Sequence, residues 1–152
     1  MKITKKGEYA LRALTVLAVS YEDKETLTLR EIARRDDLPF KFLEQIMMSL
    51  KRAGLIRSAK GKNGGYILAR HPKEITLGEV IREVDGPLAP ILTAEEMERR
   101  VEADDRHAGL YSILLDVRNA ISRILDKRTL ADMVEISIDR ASAKRGSQMY
   151  YI

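Results

Sequence analysis

The chain has no cysteine and no tryptophan, only two phenylalanines, two histidines and four prolines, and no long apolar run. Without cysteine it holds no disulfide, no cysteine nucleophile, no thiolate zinc site and no all-thiolate iron–sulfur cluster. The longest apolar stretch, Tyr9 to Val19, is interrupted by Arg12 and is too short to span a bilayer. The opening Met1-Lys2-Ile3-Thr4-Lys5-Lys6 lacks the apolar core and cleavage site of a signal peptide. The expectation is a cytoplasmic protein with no membrane partner.

What is present is 152 residues, 45% hydrophobic and 33% charged. That composition suits a folded chain of one medium domain, or a small domain with an appendage. The net charge of +4 is unevenly spread. Residues 1–72 carry 15 Lys/Arg against 8 Asp/Glu, a net +7, and residues 73–152 carry 12 against 15, a net −3. A basic first half points to a polyanionic partner, although lysine and arginine also serve simply to solubilise a surface.

Thr4 is placed to cap a helix with its body over residues 8–20, whose apolar residues cover most of the circumference, as in a helix wrapped by others. Thr28-Leu29-Arg30-Glu31 is a capping box that opens a short helix to about Asp36. Asp36-Asp37-Leu38-Pro39 interrupts it, because a residue before proline avoids the helical region. Leu43, Ile46, Met47 and Leu50 then recur at helical spacing, giving an amphipathic helix over 40–53 that Gly54 closes with a left-handed cap. Two short helices with a tight turn, after a buried first helix, predict a helix-turn-helix.

Leu55–Ala59 and Tyr66–Ala69 read as strands around Lys60-Gly61-Lys62-Asn63-Gly64-Gly65, a basic hairpin tip that makes the motif winged. The Gly-x4-Gly-Lys-Ser/Thr phosphate loop is absent. Thr76-Leu77-Gly78-Glu79 is a second capping box, for a helix through Val84, and Pro87–Pro90 is a connector. Residues 93–106 read as a solvated helix or loop. From about Ala108 to Asp126 a long helix carries Leu110, Ile113, Leu114, Val117, Ile121, Ile124 and Leu125 on one stripe, which requires a partner surface. Thr129 starts a further helix to about Ile138, and a disordered tail is expected from Asp139. The fold class is mainly α with a small β-hairpin: a winged helix-turn-helix domain plus a long dimerisation helix.

A recognition helix offers donors and acceptors on its outer face. Gln45 suits bidentate reading of adenine, Glu44 suits the amino group of cytosine, and Lys41 at the helix start suits phosphate. Lys60 and Lys62 suit a backbone or minor-groove contact. The bland alternative makes Glu44 and Gln45 ordinary surface residues. The candidate DNA-contact set is Lys5, Lys6, Thr28, Lys41, Phe42, Glu44, Gln45, Lys60, Gly61, Lys62, Asn63 and Gly64. Two other function classes compete. One is a metal-dependent enzyme built on His107 with Asp104 and Asp105, or on His71 with Glu74; this spacing fits no established ligand motif. The other is a pure protein-interaction module.

The succession Thr4–Leu14, Phe42–Ile46, Leu50–Ile56, Gly61–Tyr66, Gly78–Ile81 and Thr129–Asp132 resembles the Rrf2 family of bacterial transcription regulators over about residues 1–135. The resemblance implies a homodimer, joined through the helix at 108–126, on a pseudo-palindromic operator in double-stranded DNA. It also implies readout by Glu44 and Gln45 and wing insertion near Lys60–Gly65, and it allows members whose acidic half binds a metabolic enzyme, as the alternative to the repressor expected here. On this reading residues 1–86 are the DNA-binding domain and 87–107 a connector and sensory segment. Residues 108–138 are the dimerisation helix with the helix that follows, and 139–152 a tail. Many members hold a [2Fe–2S] or [4Fe–4S] cluster on three cysteines in the segment matching 92–110, some with an acidic residue at the position of Glu8 or a nearby histidine such as His107. Here the cysteines are missing, so no cofactor or metal is expected. A [2Fe–2S] cluster becomes the alternative only if the natural parent carries cysteines there.

Overall fold

The computed structural model describes residues 3–87, 92–103 and 106–149, with side chains to Arg145. Helix α1 (Lys5–Val19) is the hub, with Ala10, Ala13, Leu14, Leu17 and Ala18 buried. It is capped as expected, the Thr4 hydroxyl accepting from the Gly7 N–H at 3.1 Å. Thr4 also donates its own N–H to Asp85 Oδ2 at 2.9 Å, so that carboxylate sits at the positive end of α1. Gly7 is a glycine because a Cβ there would stand 2.2 Å from Asp85 Oδ2.

Helices α2 (Leu29–Arg35) and α3 (Phe40–Arg52) form the helix-turn-helix. The capping box on Thr28 and Glu31 is complete in both directions. The turn is a left-handed cap at Asp37 (φ 48°), followed by a Leu38 N–H donating back to the Ala33 carbonyl at 2.9 Å. Arg12 pins this turn to α1, its Nε 2.7 Å from Asp36 Oδ2. At the far end of α3, Gly54 (φ 72°) and Leu55 make the expected closure, with Leu55 N–H bonding Leu50 C=O at 3.0 Å. Leu43, Ile46, Met47 and Leu50 all face the core.

Strands β1 (Ile56–Ala59) and β2 (Gly65–Leu68) pair antiparallel, with Ile56 opposite Leu68. The hairpin was legible in sequence, but its root is broader than two strands. Leu27 bridges Tyr66 through two backbone hydrogen bonds of 3.0 and 2.7 Å. Gly65 allows this approach, since a Cβ there would lie 2.7 Å from the Leu27 backbone.

After a short 3-10 turn (Pro72–Glu74) comes α4 (Leu77–Asp85), ended by Gly86 at φ 86°. Only half of its expected capping box forms. Thr76 accepts from the Glu79 N–H, but the Glu79 carboxylate goes to Arg70 instead. The Pro87–Pro90 connector lies mostly outside the described residues. Helix α5 (Ala94–Ala103) takes up the segment read as solvated helix or loop, buries Met97 and packs along α6 (Ala108–Lys127). Arg100 fastens the pair, donating to the Tyr111 hydroxyl at 2.7 Å. An Arg82–Asp126 ion pair fastens α6 to α4.

Helix α7 (Leu130–Met149) corrects the sequence reading, which ended it near Ile138 and expected a disordered tail. Ala141, Ala143, Lys144 and Arg145 are strong helix formers and no proline intervenes, so the helix continues although its second half is exposed. Its first residue, Leu130, is buried in the core, where its N–H bonds the Ile75 carbonyl at 3.0 Å. No helix among the described residues is long and apolar enough to cross a membrane.

Candidate nucleic-acid interface

Because its apolar stripe is consumed by the core, α3 turns Lys41, Glu44, Gln45 and Met48 outward. These positions are three, four and seven residues apart, one face of a helix. They share a shallow groove with Leu29 at the start of α2 and Tyr66 on β2. Among the described residues, the side chains of Lys41, Glu44, Gln45, Lys60 and Lys62 make no hydrogen bond or ion pair within the chain. Their donors and acceptors are open to an outside ligand.

The wing tip is exposed from Lys60 to Asn63. Gly61 (φ 104°) supplies the left-handed turn, and its carbonyl accepts from Gly64 N–H at 2.9 Å. Thr26 donates its hydroxyl to the Asn63 carbonyl at 2.7 Å, holding the tip against the segment that leads into α2. Recognition helix and basic tip thus share a mount: Leu27 and Thr28 are adjacent, one bonded to the wing and the other capping α2.

The rest of the candidate set is placed less freely. Phe42 meets Tyr9 edge-on with ring centroids 5.7 Å apart, so one side of it serves the α1–α3 contact. The Thr28 hydroxyl is engaged with Glu31. The Lys5 ammonium lies 2.8 Å from Glu8 and over the Tyr9 ring, and Lys6 is half-buried. Sequence reasoning missed Leu29, Tyr66 and Met48. Met48 alone left a signal, an apolar residue standing off the apolar stripe.

Of the competing enzyme sites, the one at His71 lies within the described residues. His71 is a local cap, its Nδ1 accepting from the Lys73 N–H at 3.1 Å, while its ring stacks edge-on against Tyr21 and its Nε2 faces Glu22. Asp104 and Asp105 lie outside the described residues. Among the described residues no three His, Asp or Glu side chains converge as metal ligands.

The seven-residue stripe on α6 divides between two faces. Leu114, Ile121 and Leu125 are half-buried by their own chain, whereas Leu110, Ile113, Val117 and Ile124 are exposed. Those four, with Ala120, follow the alternating three- and four-residue spacing of a coiled-coil seam.

Residues 3–136 match the Rrf2 family, described as iron-dependent transcriptional regulators. The HTH-type transcriptional regulator CymR of Bacillus subtilis is 32% identical over the whole length of both chains. The regulator NsrR of Geobacillus kaustophilus is 34% identical over 95% of each. The solved structure of the B. subtilis CymR, a global cysteine regulator, superposes with a TM-score of 0.76 at 31% identity, covering 90% of this chain and 98% of that one. An IscR structure from T. potens gives 0.69 at 33% identity, covering 90% and 88%.

The residues of this chain do not fit an iron–sulfur cluster. There is no cysteine to supply thiolate. Glu8, at the family's acidic ligand position, is already held by Lys5 at 2.8 Å and faces Arg12 at 3.7 Å. The Lys5 hydrogen bond keeps the Glu8 carboxyl below its ordinary range. The match across the chain, the shared fold and an outward helix face beside a basic wing agree on one conclusion. The chain belongs to the Rrf2 family and is a DNA-binding transcription regulator of the winged helix-turn-helix type.

Proposed function

We propose that the protein acts as a homodimeric repressor on a pseudo-palindromic operator, with Glu44 and Gln45 reading base edges and the wing holding phosphate or minor groove. The observation that carries this reading is the outward face of α3. Its polar groups are unpaired within the chain and stand beside a tip bearing Lys60 and Lys62. The exposed seam on α6 supports the dimer, and two recognition helices related by a two-fold axis call for a two-fold operator. A dimer seated on its operator excludes other proteins from it, and repression is the action this reading assigns. The same reading takes the regulator as a cytoplasmic protein that carries no cluster, because the donor set is wrong for one, so its signal has another chemistry.

A carboxylate beside DNA is repelled by phosphate, so Glu44 belongs on a recognition helix when it accepts from a cytosine amino group or rejects sites that lack one. Glu44→Ala is expected to relax preference at one base pair by about 1–3 kcal/mol while random-sequence binding is unchanged or stronger. Competition over all four bases at each operator position, at one salt concentration, measures this. An equal loss of affinity for every sequence would make Glu44 structural and remove it from the readout.

A further inference from the structure

The outward face of α3 carries one residue that the polar account of readout leaves without a task. Met48 is 59% exposed, while the other apolar residues of the same helix turn, Ile46, Met47 and Leu50, are buried at 0–1%. It stands three residues after Gln45 and four after Glu44, on their face, and lines the groove they share with Leu29 and Tyr66. A thioether chain offers no charge to a phosphate and no useful donor to a base edge. In the major groove, the one apolar group a base pair presents is the 5-methyl of thymine.

We propose that Met48 reads a thymine methyl in each half-site, an inference that rests on the DNA-binding reading of α3. The helix rise puts Met48 about 4.5–6 Å beyond Gln45 and Glu44 along α3, on the order of one to two base-pair steps. The thymine therefore lies within two base pairs of the position whose preference depends on Glu44. An unbranched, polarizable side chain suits this contact, because it shapes itself to a methyl that the polar residues have positioned.

The test uses the full chain and duplexes recovered by selection from a random-sequence pool. Each thymine is replaced in turn by deoxyuridine, which deletes the methyl and leaves base pairing intact. The expected result is that one substitution per half-site weakens wild-type binding about fourfold, the worth of one buried methyl group. Met48→Ala binds thymine and deoxyuridine duplexes equally, and Met48→Leu restores the distinction. Met48 is exposed, so the variants keep the wild-type circular dichroism spectrum. Indifference of the wild type to every deoxyuridine overturns the proposal. So does a Met48→Ala variant that still discriminates, or a selected site with no thymine within two base pairs of the Glu44-dependent position. Failure to enrich any sequence from the pool strikes the DNA-readout assignment itself, a result distinct from methyl-blind binding.

Discussion

Replacing Ile113 and Val117 of α6 with lysine should convert the proposed dimer to monomers, and the size of the effect follows from exposure. Burying a Val, Leu or Ile side chain completely is worth about 1.5–3 kcal/mol. Leu110, Ile113, Val117 and Ile124 are 52–64% exposed in the single chain. Each therefore has roughly half of that stabilisation still to gain, about 1 kcal/mol. A two-fold seam uses every residue twice, so the four contribute about 8 kcal/mol of gross attraction. The double substitution removes about half, some 4 kcal/mol, and so weakens association about a thousandfold. Repulsion among four added ammonium groups in one seam weakens it further. Light scattering behind size exclusion reads the mass directly, at the same concentration for both proteins. Both side chains are more than half exposed in the single chain, so the helical circular dichroism signal should survive. An unchanged dimer mass would place the interface elsewhere and refute the seam.

Three other expectations can be checked independently. Lys60→Ala with Lys62→Ala should weaken all DNA alike and flatten the dependence of log affinity on log salt by about two units; a loss confined to the cognate site would mean that the wing reads bases. Gly65→Ala drives a methyl into the Leu27 backbone, 2.7 Å away, and should cost about 1–3 kcal/mol, seen as a melting point several degrees lower; an unshifted melt would show the wing root to be loose. Glu31, held below its ordinary carboxyl pKa by the Thr28 backbone N–H, stabilises the start of α2 above the unfolded value of 4.5 and loses that contribution as pH falls through the lower folded value. The melting difference between wild type and Glu31→Gln should then shrink as pH falls from 4.5 through the lower folded value, and a gap independent of pH would assign the effect to something other than ionisation.

The helix-turn-helix was legible because its signals are local. A capping box at Thr28, a proline at 39, the spacing from Leu43 to Leu50 and a glycine at 54 each act within one or two turns of chain. The wing tip was legible for the same reason. Contacts between distant segments left no such mark: nothing in the spacing of Leu27 announces that it pairs with Tyr66, or that Glu79 abandons its capping box for Arg70. The stripe on α6 was visible, but its division into a face toward α4 and α5 and a face toward solvent depends on where those helices pack. The end of α7 was misread because Ser, Gly and Arg near residue 145 look like a tail, although the helix propensity of the alanines and lysine prevails.

The backbone bridge between Leu27 and Tyr66 makes wing and helix-turn-helix behave as one rigid caliper. On the proposed reading, this bridge sets the spacing between α3 and the tip bearing Lys60 and Lys62 before DNA arrives. When the two partners do not match, the duplex is the one that deforms, and bending energy depends on which base steps lie between the contacts. An operator met in this way would be selected partly for compliance: base pairs that no side chain touches would still contribute to affinity through their readiness to twist or kink to the caliper's span.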